Sequence, residues 1–166
     1  EILIALTRLD MYRGRESVAW ERLQKVWKKA RASGVFDDPV ISAEASMARA
    51  GCAIAEAVRT GGKAELRAAA KAVKAVRKSQ WAWTTPWADM LEAGVKRARG
   101  KGGTELLERA RDGFETHDMR LGGWLARRAI GRLNGTAVAA EADQWMSGQG
   151  VRDPERFAAV LSPGLQ

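Results

Sequence analysis

The side chains with chemistry to offer are few, and most of them are cationic. Lys63, Arg67, Lys71, Lys74 and Lys78 follow one another at steps of four, four, three and four residues. That spacing sets them along one face of an α-helix. Like charges so aligned repel by roughly 0.2–0.5 kcal/mol per pair, so the ridge faces either water or a negatively charged partner. Arg77 extends it, and only Glu65 opposes it locally. Two partner chemistries fit: an acidic protein surface, including another domain of the same chain, or nucleic-acid phosphates. The acidic protein is favoured, because no recognised nucleic-acid module surrounds the ridge and no aromatic platform is tied to it.

Directly after the ridge comes "WAWTTPW", with Trp81, Trp83 and Trp87 around Pro86. The chain holds seven tryptophans. Trp20, Trp27, Trp124 and Trp145 sit in helical patterns, where indoles fill gaps between packed helices. The irregular Trp81–Trp87 corner is a candidate aromatic anchor for a partner, since Trp is enriched at binding hot spots.

Catalysis needs a nucleophile or base with partners, and none assembles here. His117 is the single histidine, placed at a polar corner, and Cys52 is the single cysteine, placed among small residues. They stand alone, so no zinc spacing exists and no internal disulfide is available. No catalytic residue, metal or cofactor is expected. "GVKRARGKGG" and "TGGKAEL" contain Gly-Lys pairs. Neither has the spacing, the following Ser/Thr or the preceding strand of a phosphate-binding loop, and both read as turns. Gly148 and Gly150 in the closing stretch read as a helix stop.

These residues sit on a chain of 166 residues, 46% hydrophobic, with 28 Lys and Arg against 20 Asp and Glu. That length supports a real core. The net charge of +8 favours acidic partners. No apolar run approaches the ~20 residues of a membrane span, and the lone cysteine suits a reducing cytoplasm. The opening "EILIALTRLDMY" carries an apolar pattern without a signal-peptide design. It reads as an internal start within a longer protein.

Apolar spacing is helical almost throughout, and Gly-rich breaks recur at short intervals. Helices are expected at about 2–12, 16–33, 41–59, 63–79, 86–99, 104–117, 118–133 and 136–148, with a short ninth after Asp153-Pro154. In the second helix, Val18, Leu23, Val26 and Ala30 mark the inner face. Ala45, Ala48, Cys52, Ala55 and Val58 form a small-residue stripe on the third. Thr104 is expected to cap the sixth. Short turns make consecutive helices antiparallel. The chain reads as one all-α domain of hairpins at about 1–34, 40–80, 86–116 and 118–148, with a capping helix at about 153–161. Their spacing is close to the tetratricopeptide (TPR) period. The expected architecture is a degenerate TPR-like α-solenoid, with a closed helical bundle as the alternative.

The C-terminal half resembles the helical region that ends large bacterial, myxobacterial-type Ser/Thr protein kinases. The resemblance rests on Asp118, Met119, Leu121, Arg127, Arg128, Gly131, Leu133 and Gly135. It continues through Ala142, Asp143, Trp145, Met146, Gln149, Gly150, Pro154 and Arg156 to Pro163-Gly164. It covers about residues 86–164; the first half matches in architecture alone. The many lysines and tryptophans depart from the Arg/Ala-rich arrays of that family. The resemblance implies a non-catalytic protein-binding domain attached to a kinase, since none of the kinase signatures lies in this chain.

In this reading Phe157, Val160 and Leu161 cover an apolar face of the last hairpin. Truncation before Val151 is therefore expected to cause aggregation or partial unfolding, read by light scattering and circular dichroism. A truncated chain that stays monomeric with an unchanged melting temperature would contradict a covering role.

Overall fold

The computed structural model describes residues 2–79 and 81–166. Glu1 and Gln80, expected limits of the first and second hairpins, lie outside the described residues. Among the described residues the chain is all-helical, with nine helices and no strand. They are α1 Ile2–Tyr12, α2 Glu16–Ala32, α3 Pro39–Thr60, α4 Lys63–Lys78, α5 Thr84–Ala98, α6 Thr104–Thr116, α7 Arg120–Asn134, α8 Val138–Gly148 and α9 Pro154–Leu161.

Local chemistry sets most boundaries. Asp38 caps α3 by accepting from the Val40 and Ile41 amides at 2.8 and 3.0 Å, with Pro39 at the first helical position. Asp153 caps α9 by accepting from the Arg156 amide at 3.0 Å, and Pro154 follows it. Both satisfy amides that have no partner within the helix. Gly61 and Gly135 end α3 and α7 in the left-handed conformation, which costs glycine nothing.

Four expected starts, those of α3, α5, α7 and α8, each move by two residues, and the expected cap of α6 moves by one. α5 begins at Thr84, two residues before Pro86, and the Thr84 hydroxyl donates to the Trp81 carbonyl at 2.8 Å. Proline is tolerated there because first-turn amides lack helical acceptors anyway. α6 is entered through Gly103, and Thr104 makes no side-chain cap. Gly103 is buried against Ala93, where a Cβ would meet backbone at 3.3 Å, so close packing fixes the turn one residue earlier. α7 starts at Arg120, because Asp118 turns the chain with φ of +52°.

Each helix from α1 to α8 packs against its successor, and α1, α3 and α5 also touch in series. The buried face of α2 carries Ala19, Trp20 and Leu23. The expected Val18 and Val26 are instead 44% and 37% exposed: Trp20 pulls the helix face toward itself. α3 is buried at Ala45, Ala48 and Cys52 as expected, but Val58 is 56% exposed. Two cores meet at α5. Leu91 and Val95 join Trp20, Leu23, Ile54 and Val73 in the first. Met90 and Ala93 join Leu107, Phe114, Leu125 and Met146 in the second.

The closing segment goes further than a cover for the last hairpin. α9 touches α8, but it also packs on α1 and α3. Beyond it, Ser162, Pro163 and Leu165 are buried, and the tail runs into the seam between α3 and α5. Gly94 makes room for it: a Cβ there would stand 2.5 Å from the Pro163 carbonyl oxygen. At Gly51 a Cβ would meet Pro163 at an ordinary 3.6 Å.

A helical Gly→Ala change ordinarily stabilises by up to ~1 kcal/mol. Gly94→Ala is expected to do the opposite, lowering stability by about 1–3 kcal/mol through overpacking. Gly51→Ala is expected to be neutral or stabilising. Thermal and urea unfolding of the two variants check the contrast, and a Gly94→Ala protein as stable as the parent would contradict the seated tail.

Candidate functional site

The structure splits the expected partner-binding residues into two sites. Lys63, Arg67, Lys71, Lys74 and Lys78 all lie on α4 and are all exposed. At 3.6 residues per turn they fall within about 80° of arc. The buried side of α4, formed by Ala69, Ala72, Val73 and Val76, lies opposite. Among the described residues none of the five enters an ion pair. Glu65, the expected local opponent, folds back over Gly62 at the helix start instead.

Arg77 does not belong to the ridge. Its guanidinium turns to α5, donating to Asp89 at 2.8 Å and Glu92 at 2.7 Å. Desolvation alone would lower its pKa, but these hydrogen bonds and the two carboxylate charges together raise it. Asp89 is 4% exposed and also pairs with Arg109 of α6, so this cluster ties three helices.

The tryptophan corner divides as well. Trp81 stands 42% exposed. Trp83 and Trp87 are half-buried and open into a groove to which α4 contributes no residue. Trp87 packs edge-on against Phe114, with ring centroids 4.9 Å apart, which fixes its indole.

That groove is the feature the sequence did not disclose. It has a volume of about 580 Å³. α1 supplies Leu9 and Tyr12, and α3 supplies Met47. Met119 and Leu121 close it from the start of α7, and Phe157, Val160 and Leu161 form the wall along α9. Arg8 and Glu44 stand at its edge, and neither enters an ion pair among the described residues. Leu9 is 42% exposed, and Leu6 and Ile2 continue the apolar stripe along α1 at 41% and 79%. The groove joins residues from position 8 to position 161. Only the tertiary fold brings them together; the one local signal was the exposed i, i+4, i+7 spacing of Ile2, Leu6 and Leu9.

Such a lining suits an apolar or amphipathic ligand held by shape and contact. Among the described residues its titratable edge groups are Arg8, Tyr12 and Glu44. His117, the single histidine, is exposed at the end of α6, and the single cysteine, Cys52, lies far from it in sequence. Among the described residues no group of three or more His, Cys, Asp or Glu is placed to hold a metal ion. Among the described residues no helix is long and apolar enough to cross a membrane.

Compared with known protein families, curated proteins and solved structures, the chain matches none.

Cys52 is fully buried on α3. Burial first, then the charges of Glu56 and Glu16, pushes its pKa up to about 12 from an ordinary 9.0. At pH 8 the folded protein is expected to react negligibly with a thiol reagent such as Ellman's, and rapidly once denatured, because only the thiolate attacks. Between pH 9.0 and about 12 the folded thiol keeps a proton that the unfolded one has released. Stability therefore falls as pH rises through that window. Fast labelling of the native protein at pH 8 would contradict a buried, protonated thiol.

Proposed function

We propose that this chain is a non-catalytic protein-binding module whose partner inserts apolar side chains into the Trp83–Trp87 groove. The carrying observation is the groove itself: about 580 Å³, walled by two tryptophans and by Phe157, Leu9 and Met119, and continuous with the exposed α1 stripe. Large apolar patches rimmed by polar groups mark interaction sites, and an amphipathic segment laid in such a groove is a recurring recognition mode.

The proposed architecture is a degenerate TPR-like α-solenoid. The serial contacts of α1, α3 and α5, with α2 and α4 packed beside α3, support it. In such stacks the first helices of successive hairpins line the inner surface, and here the groove opens on α1, α3, α5 and α7. We further propose, from the resemblance of residues 86–164, that the domain serves a bacterial Ser/Thr protein kinase in signalling in the cytoplasm. A coding sequence for a kinase domain upstream of Glu1 would support that attachment.

Selection from a phage-displayed peptide library tests the groove. The expected winners are amphipathic peptides with apolar anchors at helical spacing. The Leu9→Glu/Trp83→Ala variant should bind them at least about tenfold more weakly, as hot-spot truncation does. Equal affinity for parent and variant, with unfolding curves unchanged, would remove the groove from the interface.

A further inference from the structure

The protein treats its two kinds of cation differently. All nine lysines fall between residues 25 and 101, and all nine are exposed. Among the described residues none of them enters an ion pair, whereas ten arginines do. The net charge follows the lysines. Residues 1–101 hold twenty Lys and Arg against eleven acids, and residues 102–166 hold eight against nine. The positive field thus belongs to the first five helices and the turn after them.

Two neighbouring elements concentrate it. The α4 ridge runs from Lys63 to Lys78, about 22 Å at 1.5 Å per residue. α5 packs antiparallel beside it, and the Arg77 bridges to Asp89 and Glu92 fix the register of the pair. That register carries the end of α5 and the following turn toward the first turns of α4. There Lys96, Arg97, Arg99 and Lys101 are all exposed and unpaired among the described residues. Nine cations therefore lie across one pair of helices.

We propose that this surface binds the phosphate backbone of nucleic acid, without reading sequence. The composition of the surface chooses between the two polyanion classes. Protein interfaces carry an apolar core and are depleted in lysine. Here the exposed residues between the cations include Ala64 and Ala75, while Val73 and Val76 are buried. No large apolar anchor is left on that face of α4. Interfaces with nucleic acid are more polar and far more positive, which is the character of this one. The surface is separate from the groove, to which α4 contributes nothing, so this proposal stands apart from the protein-binding one.

Fluorescence anisotropy with a labelled 20-mer oligonucleotide, single- and double-stranded and of arbitrary sequence, tests it across a salt series. With five phosphate contacts, the logarithm of affinity for duplex should fall with log salt at a slope of about −4.5. Lys71→Glu/Lys74→Glu should make the slope shallower by about two and weaken binding at least about tenfold near 50 mM salt. Lys71→Gln/Lys74→Gln should fall between, and circular dichroism with thermal melts should show both variants folded. Leu9→Glu/Trp83→Ala should bind the oligonucleotide like the parent, so the two sites fail or hold independently. The proposal is overturned if neither oligonucleotide binds near 50 mM salt, or if both folded lysine variants bind like the parent. It is also overturned if a labelled polyglutamate of equal length binds more tightly than the oligonucleotide, which would assign the surface to an acidic protein.

Discussion

At Gly94 the backbone of the C-terminal tail crosses α5 so closely that the Pro163 carbonyl oxygen stands where a side chain would begin. Gly164 enables the approach from the other side. Its φ of +77° lets the tail turn against the Gly94 carbonyl and the Ile54 side chain. Backbone against backbone at this range is affordable only with glycine on both strands of the crossing. Its consequences spread outward. The tail buries Pro163 and Leu165, α9 is held across α1 and α3, and Phe157, Val160 and Leu161 become a wall of the groove. The groove exists because α9 and the segment after it pack back on α1, α3 and α5.

Polar contacts then lock the hairpins that the tail spans. Asp10 is buried at the α1–α2 corner with Arg15 and Arg22. Asp89 joins Arg77 and Arg109 across α4, α5 and α6. Arg128, 1% exposed, donates through Nε to Asp143 at 2.6 Å between α7 and α8. Buried ion pairs add little net stability against apolar alternatives, but removing one partner costs several kcal/mol. Their effect is to penalise any register except the native one between helices whose interfaces are largely alanine and glycine. Arginine suits this task because its planar fork holds several acceptors at once. Lysine gains less from such geometry, and here the lysines are left to solvent.

Much of the fold was legible because its determinants are local. Asp153-Pro154, Gly61 and Gly135 mark helix ends by chemistry confined to four or five residues. The α4 ridge was legible for the same reason, since helical periodicity alone places Lys63 to Lys78 on one face. What escaped was set by tertiary contact. Arg77 has the spacing of a ridge residue, yet two carboxylates on α5 turn it inward. Val18 and Val26 have the pattern of a core face, yet Trp20 takes that place. Phe157, Val160 and Leu161 were read as the cover of the last hairpin alone. The surface they meet is made by α1 and α3, over a hundred residues earlier in the chain, and no local pattern encodes that meeting.

The outcome is a molecule with two unlike surfaces, a lysine face on α4 and a groove that α5 helps to line. α4 turns lysines to water, and α5, packed against it, opens through Trp83 and Trp87 at its start into the groove. An apolar groove rewards a ligand by burying area, an effect that salt does not weaken. A lysine face acts through charge, which salt screens over about 8–10 Å. Because α4 and α5 are joined by the Arg77 cluster and by the shared core around Val73 and Leu91, the two faces are held in fixed relation. A partner in the groove and a polyanion on the lysine face would be brought together by rigid geometry, with no conformational change required of the domain.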